Sequence, residues 1–467
     1  MSEYDNIDVI ESVISRARVA QKAYENNASQ VNYDNASKAA AWAVMEPTHN
    51  LELAKLAVET TGLGNVKDKV LKNHRKTLGL MRDIKNIKTC GIVREDCAKG
   101  ITEIARPIGV IGSVVPSTNP IATPVNNIIN ALKCGNSIVV APSPKGVQSC
   151  QLLLKYIHLE FDKVGLSRDL VQMIPGVGSK LKTQRMMELS DKVICTGSQN
   201  NVRRAQTCGT PAVAVGAGNV TVIVDETASA LEAAKKISLS KTFDNATSCS
   251  SENSIIVVDK IFDDFIKALA LEGGILIQDQ SVLVRKMWRN GELNRSVIAQ
   301  DSDKMLKALD LTEKVPKGTK FILVETSGIG SKHPLSGEKL SLVIALYRAK
   351  DFSHAAELAR KLFSHQGAGH SIGIHTTDHN RPLDLGMTLP TCRVIVNQAH
   401  ALATGGAFNN GMPFSLSMGC GSWGGNSIDE NLNWKHFIQY AKVIREIEYK
   451  EPTLEEIFDN YWANFTK

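Results

Sequence analysis

Apolar and polar residues are arranged in two different ways along the chain. Over the first ninety residues, apolar positions recur at spacings of three and four, as at Val9, Ile10, Val13, Ile14 and Ala17, and this period predicts helices. From residue 108 onward, short β-branched runs alternate with helical stretches. These runs predict strands at 108–115, 137–141, 170–174, 192–196, 221–224, 254–258, 321–324, 342–346, 371–375 and 393–396.

Strands separated by helices are typical of β-α-β units, in which a mostly parallel sheet is covered on both faces. The strands fall into two series, so the sequence predicts an α/β protein with two halves and a boundary near Asp225. No long linker rich in Pro or Gly separates the halves. We therefore expect them to lie close together, with a cleft between them.

The composition is that of a folded protein. The 467 residues carry a net charge of +6, with 43% hydrophobic and 22% charged residues, which argues against a disordered chain. No basic run suggests a nucleic-acid partner, and no apolar run suits a signal peptide or a membrane span. Since the nine cysteines form no C-x-x-C pair, we expect no metal site, no disulfide framework and a cytoplasmic location.

One cysteine differs from the others in its surroundings. Cys249 lies among small polar residues directly before a predicted strand, where a thiol can be reached from solvent. By contrast, Cys134, Cys195 and Cys392 lie in or beside apolar stretches, where inert buried thiols are common. The local sequence leaves two interpretations of Cys249 open, a catalytic nucleophile and a packed loop thiol.

Other polar residues stand at the ends of predicted strands. Asn119 follows the strand at 108–115, where its amide could donate to an oxyanion, and Glu338 and His370 lead into later strands. Their ordinary alternatives are a turn residue, a surface carboxylate and a structural histidine. Ser198 follows the strand at 192–196 and is suited either to binding a phosphate or to capping a helix.

Taken together, these segments resemble the aldehyde dehydrogenase superfamily, and specifically its CoA-acylating branch. The similarity runs from about residue 106 to residue 436, with the motifs in the family's order. The motifs are an oxyanion-asparagine segment at 117–120, a phosphate turn at 196–198, a nucleophile segment at 243–252, a glutamate segment at 338–341, a histidine segment at 369–370 and a glycine-rich block at 419–427.

The resemblance implies a fold and a set of roles. The fold would be two Rossmann-like α/β domains with an oligomerisation arm, and the subunits would form homodimers or homotetramers. Residues 1–225 would bind NAD(P), 226–424 would form the catalytic domain, and 425–467 would return to the first domain or to the oligomer interface. The implied catalytic residues are Cys249, Asn119 and His370. The implied cofactor-binding residues are Gly197, Ser198, Glu338, Pro142, Ser143 and Gly216.

Two departures from the hydrolytic relatives shape the predicted reaction. Those relatives carry a glutamate base in an E-L-G-G-K segment, whereas no Asp or Glu occurs here between Asp191 and Asp225. Without a base to activate water, a thioester on Cys249 is expected to pass to coenzyme A. The relatives' K-P-S-E segment is replaced by residues 141–145, which carry no carboxylate and end in Lys145, so NAD and NADP are both compatible.

The substrate prediction rests on segments 393–400 and 404–411. They resemble acylating enzymes for aldehydes with an anionic tail, and Arg393 and His400 are the residues predicted to bind that anion. Sulfoacetaldehyde ranks first, with succinate semialdehyde and acetaldehyde as alternatives. A hydrolytic aldehyde dehydrogenase and a non-catalytic scaffold subunit stay open as alternative functions.

Overall fold

The computed structural model describes residues 3–176, 178–216 and 218–465. The chain begins with helices, as the apolar period predicts. Side-chain oxygens of Ser29 and Asn65 cap the second and fourth of them, and Gly62 ends the third with a φ of 70°. The helices are α1 (Glu3–Asn26), α2 (Gln30–Met45), α3 (Pro47–Thr61) and α4 (Val66–Ile84).

Two strands, β1 (Gly91–Asp96) and β2 (Ile101–Pro107), lead into the first α/β unit. Its elements are β3 (Val110–Val115), α5 (Ala122–Lys133), β4 (Ser137–Pro142), α6 (Val147–Lys163), β5 (Val171–Met173), α7 (Lys180–Leu189), β6 (Lys192–Thr196), α8 (Gln199–Thr207) and β7 (Ala212–Val215). The strands form one parallel sheet in the order β5-β4-β3-β6-β7.

This sheet is covered on both faces. Ile138 and Val140 of β4 pack into a cluster with α2, α5 and α6, whereas Val139 and Ala141 pack into another with α1 and α7. Because successive side chains of a strand point to opposite faces, a strand buried on both sides is apolar throughout. The carboxyl ends of β3, β4 and β6 lie side by side at one edge of the sheet.

A second α/β unit follows the first. Its elements are β8 (Val220–Val224), α9 (Ala230–Thr242), β9 (Glu252–Val258), α10 (Asp259–Leu271), β10 (Gly274–Leu276), α11 (Gln280–Met287), β11 (Trp288–Arg289), β12 (Glu292–Leu293), α12 (Ser302–Ala308), β13 (Phe321–Glu325), β14 (Val343–Ala349), α13 (Phe352–His365), β15 (Ile372–His375), α14 (Asn380–Thr388), β16 (Val394–Val396) and α15 (His400–Ala403). Seven of these strands form a parallel sheet in the order β10-β13-β14-β9-β8-β15-β16.

The predicted α/β fold with two halves is confirmed, and every predicted strand is present with small differences at its ends. The first sheet ends at Val215, a few residues before the predicted boundary near Asp225. Strand β8 pairs with β9 and β15 of the second sheet, so the chain changes sheets between β7 and β8. An apolar run predicts that a strand exists, but it carries no information on which sheet receives it.

The C-terminal segment forms an arm with β1 and β2. Strand β17 (Ile438–Ile444) pairs antiparallel with β2, which also pairs with β1, and α16 (Leu454–Phe465) follows without burying a side chain. Large apolar side chains of this segment, such as Ile444 and Tyr449, are exposed at 73% and 82%. Of the helices described, none has the length and apolar character needed to cross a membrane.

Candidate active site

Cys249 lies in the loop between α9 and β9, which we call the nucleophile loop (residues 243–251). Three successive residues of this loop, Asp244, Asn245 and Ala246, have φ values of 49°, 53° and 59°. Side chains other than glycine adopt this left-handed region only when surrounding contacts hold them there. One such contact is the hydrogen bond of 2.8 Å from Asn245 Nδ2 to Asp301 Oδ1.

The other contact is a buried ion-pair cluster. Asp244 is completely buried and accepts hydrogen bonds from the ammonium groups of Lys69 (3.1 Å) and Lys72 (2.5 Å), both on α4. Burial alone would raise the pKa of Asp244, but the two ammonium charges outweigh it and hold that pKa below its usual value. The cluster therefore ties the nucleophile loop to the N-terminal helices.

A cavity of about 420 Å³ opens above Cys249. It lies between the carboxyl edge of the first sheet, the nucleophile loop, α4 and the segment 401–418. Seven of the residues predicted from the sequence line it: Asn119, Ser143, Gly197, Ser198, Gly216, Cys249 and Glu338. The carboxyl ends of parallel strands, where open α/β sheets build their sites, thus face the cysteine.

Asn119 is held in one orientation. Lys72 Nζ donates to Asn119 Oδ1 at 2.9 Å, and the same ammonium donates to Asp244 and to Thr247 Oγ1. With its oxygen occupied, Asn119 is left with its Nδ2 amide group, which donates to no group among the described residues and lies in the wall of the cavity. A free amide beside Cys249 is suited to bind an oxyanion.

Cys249 is paired with His370, as the histidine motif suggested. The Nε2 atom of His370 lies 3.4 Å from Cys249 Sγ, and Nδ1 shares a hydrogen bond of 2.7 Å with Ser371 Oγ. Burial raises the pKa of Cys249 to about 12, helped by the nearby Glu338, and burial lowers the pKa of His370 to about 3. The resting pair is therefore a neutral thiol beside a neutral imidazole.

Glu338 enters the same cavity from the loop before β14. Its Oε1 accepts the backbone N–H of Gly218 at 3.2 Å, and burial raises its pKa to about 8. At neutral pH the carboxyl group is therefore mainly protonated. Gly218 itself fits closely, since a Cβ at this position would lie 2.5 Å from the Cys249 carbonyl oxygen and 3.0 Å from the His370 ring.

The side of the cavity formed by the first sheet offers groups suited to a dinucleotide. Ser143 Oγ is buried without a hydrogen-bond partner and lies in the wall. Ser198 has an ordinary structural role as well, since its Oγ caps α8 by accepting the N–H of Asn201 at 3.4 Å. Pro142 ends β4 without lining the cavity.

The two residues predicted to bind the substrate's anion lie outside the cavity. Arg393 donates to the backbone oxygens of His370 (2.7 Å) and Asp429 (3.4 Å) and to Asn431 Oδ1 (3.1 Å), so its guanidinium group supports the histidine segment. His400 Nδ1 lies 2.9 Å from the Ser250 carbonyl oxygen. Neither residue is among those that line the cavity.

Comparison with known proteins places this site in a family. Residues 5–272 match the Aldehyde dehydrogenase family. Over 462 residues the chain is 50% identical to the sulfoacetaldehyde dehydrogenase (acylating) of Cupriavidus necator. The aligned region covers 98% of this chain and 94% of that protein. The chain belongs to the aldehyde dehydrogenase family.

Solved structures of aldehyde dehydrogenases agree with this assignment. An acetylating aldehyde dehydrogenase from Geobacillus thermoglucosidasius is 30% identical, with a TM-score of 0.92 over 96% of this chain and 99% of that one. A propionaldehyde dehydrogenase from Rhodopseudomonas palustris, with bound CoA and an acylated cysteine, is 25% identical, with a TM-score of 0.82 over 93% and 97% of the two chains. The predicted aldehyde dehydrogenase fold is confirmed.

Lys72 is one residue of this site that sequence reasoning missed. It lies 47 residues before Asn119 and 172 residues before Asp244, so no local motif connects the three. One signal was available. The buried face of α4 carries Lys69, Lys72 and Lys76, and buried lysines are rare unless they are paired.

We expect the Cys249 thiol to react slowly at neutral pH in the free enzyme. Because the thiolate is the nucleophile and its pKa is raised to about 12, alkylation by iodoacetamide should increase roughly tenfold per pH unit between pH 7 and 10, without a plateau. Peptide mass spectrometry over time would measure it, with the exposed Cys97 as an internal reference. A plateau below pH 8 would contradict the neutral pair.

We expect Lys72→Met to lower kcat for aldehyde turnover roughly 10- to 100-fold with little change in KM, because the Asn119 amide loses its orientation. The matched control is Lys69→Met, which removes the other ammonium partner of Asp244 but has no bond to the Asn119 side chain. Both variants should lose stability, measured as the urea midpoint. Equal losses of kcat in the two variants would contradict the positioning role.

Proposed function

We propose that this aldehyde dehydrogenase is CoA-acylating and converts an aldehyde, CoA and NAD(P)⁺ into acyl-CoA, NAD(P)H and a proton, with sulfoacetaldehyde as its substrate. The observation that carries the proposal is the Cys249–His370 pair beneath a free Asn119 amide, in a site without an ionised carboxylate to activate water. The acylating sulfoacetaldehyde dehydrogenase of C. necator, 50% identical, supports the substrate.

The first step forms a covalent bond to sulfur. Cys249 Sγ attacks the aldehyde carbon, and its proton passes to His370 Nε2 at 3.4 Å. The aldehyde oxygen becomes an oxyanion, which the Asn119 amide and the Cys249 backbone N–H bind. Because both partners of the Cys–His pair are neutral at rest, the thiolate forms only as the bond to carbon forms.

Bound NAD or NADP supplies the acceptor for the hydride that leaves this carbon. The residues for holding it are Ser143, whose buried hydroxyl has no other partner, the turn of Gly197 and Ser198, and Gly216. Segment 141–145 carries no carboxylate that would repel a 2′-phosphate, and Lys145 Nζ makes one long contact of 3.5 Å with the Thr61 carbonyl oxygen. Both dinucleotides are therefore compatible with this chain.

The fate of the thioester separates this enzyme from a hydrolase. A carboxylate base that activates water contributes about 10²- to 10⁴-fold. The strand and loop at 212–216 and 218–219 carry no acid, and Glu338 is mainly protonated at neutral pH. The CoA thiol is therefore the acceptor. After the hydride has left, His370 releases the first proton to solvent; the CoA sulfur then attacks the thioester carbonyl while its proton passes to His370 Nε2, the bond to Cys249 Sγ breaks, and His370 returns the proton to that sulfur. The acyl energy is conserved in the new thioester, so the reaction is reversible.

We expect NAD(P)H formation from sulfoacetaldehyde to require CoA, with at least a roughly 100-fold lower rate when CoA is absent. Cys249→Ala should abolish both turnover and the covalent acyl adduct seen by intact mass, whereas Cys97→Ala should retain them. Equal rates without CoA would indicate a hydrolytic enzyme. Turnover of no aldehyde at all would indicate a scaffold subunit.

We further propose that the subunits associate through the arm formed by β1, β2, β17 and α16. The exposed apolar residues of β17 and α16, among them Ile444 (73%) and Ile457 (59%), form a surface that a second copy of the chain would cover. A homodimer or homotetramer would bury it.

We therefore expect the double variant Ile444→Asp/Ile457→Asp to lower the mass measured by light scattering to that of a smaller assembly. Leu271→Asp is the matched control, because Leu271 is also a highly exposed apolar residue (79%) but lies on α10 away from the arm. A wild-type protein that is already monomeric, or a double variant with unchanged mass, would overturn this assignment of the arm.

A further inference from the structure

Helix α4 presents cations to the space above Cys249. Lys72, Arg75 and Lys76 all line the cavity, and their spacing of three and four residues places them on one face of the helix. The only carboxylate that pairs with any of the three among the described residues is Asp244. This wall of the cavity therefore carries an excess of positive charge.

Two of these cations already have partners. The Lys72 ammonium uses its three donors on Asp244, Asn119 and Thr247. Lys76 Nζ donates to the Gly405 carbonyl oxygen and lies 5.6 Å from the centre of the Phe414 ring. Burial and, to a smaller extent, the neighbouring charge of Arg75 lower the pKa of Lys76 to about 7, so this lysine is only partly charged at neutral pH.

Arg75 is different. Its guanidinium group carries five N–H donors, yet its one hydrogen bond among the described residues is a long contact of 3.5 Å from Nη2 to the Leu402 carbonyl oxygen. No carboxylate of the described chain lies within ion-pair distance of it. A partly buried arginine that faces a cavity with unused donors is arranged to receive an anion from outside the protein.

We propose that Arg75 binds the anionic tail of the aldehyde and is the residue that selects sulfonate- or carboxylate-bearing aldehydes over neutral ones. The inference rests on the proposed acylating function and deepens it. A planar guanidinium group forms two parallel hydrogen bonds with two oxygens of a sulfonate or a carboxylate. It takes the role that the sequence prediction gave to Arg393 and His400, which are not among the residues that line this cavity.

Arg75 lies on a different element of the cavity wall from the residues proposed to hold the dinucleotide. Arg75 contacts the segment that contains Leu402, whereas the dinucleotide groups Ser143, Gly197 and Ser198 lie at the carboxyl ends of strands in the first sheet. The aldehyde carbon must reach Cys249, and the cations of α4 that line the same cavity would attract the anionic tail. A bound anion would also stabilise the charged form of Lys76 behind Arg75.

The test compares Arg75→Gln with the wild type on three aldehydes, namely sulfoacetaldehyde, succinate semialdehyde and propanal. The variant should lose roughly 10- to 100-fold in kcat/KM for one or both anionic aldehydes, mainly through KM, while kcat/KM for propanal stays within about twofold. The loss of kcat/KM in Arg75→Lys should be intermediate, because lysine keeps the positive charge but lacks the planar pair of N–H donors of the guanidinium group. Arg360→Gln, an exposed arginine on α13, is the matched control and should change nothing.

A binding measurement keeps this inference separate from the proposed activity. Ethanesulfonate should slow the alkylation of Cys249 in the wild type but not in Arg75→Gln, and this readout needs no turnover. Protection without turnover would support anion binding by Arg75 and overturn the acylating function. Turnover with equal losses for propanal and the anionic aldehydes, or a raised KM for CoA alone, would overturn the role of Arg75.

Discussion

The site depends on one buried carboxylate. Asp244 has a left-handed backbone, belongs to the loop that carries the nucleophile, and pairs with two lysines of a helix more than 170 residues earlier in the chain. Breaking a buried pair typically costs about 3–5 kcal/mol, which is large against the total stability of a domain. The ion pairs that keep the nucleophile loop in its left-handed conformation therefore include Lys72, which also orients the Asn119 amide. One cluster thus contributes both to folding and to the geometry of the site.

Burial away from solvent determines the protonation state of the titratable groups at the centre of the site. The cysteine, the histidine and Glu338 are all neutral or mainly neutral at pH 7, because desolvation penalises their charged forms more than their neighbours stabilise them. Among the residues that line the cavity, the positive charge comes from α4. Such a site has little reactivity until the aldehyde binds. The carbonyl oxygen and the anionic tail of the aldehyde then meet N–H donors that no protein group uses.

Much of the fold and part of the site could be predicted from the sequence. Apolar runs identified the buried strands. Family motifs identified Asn119, Cys249 and Glu338, which line one cavity, and His370, which lies beside Cys249. The short edge strands β7 and β10 were missed, because their runs are brief. The family resemblance predicted an arm, but its strands β1, β2 and β17 were not predicted, because their runs are half-exposed. The cations of α4 were missed for another reason, since helix spacing shows that they share a face but not what that face meets.

The close fit of Gly218 bears on how such an enzyme could change its chemistry. Any side chain at this position would collide with the peptide group of the nucleophile and with the imidazole ring. A hydrolytic activity could therefore not be introduced by placing an acidic side chain at residue 218 alone. An acid at this one position would require the nucleophile loop to move, so a base for water would have to come from a neighbouring residue of the segment, such as Gly216, where a Cβ would meet only the side chain of Gln199.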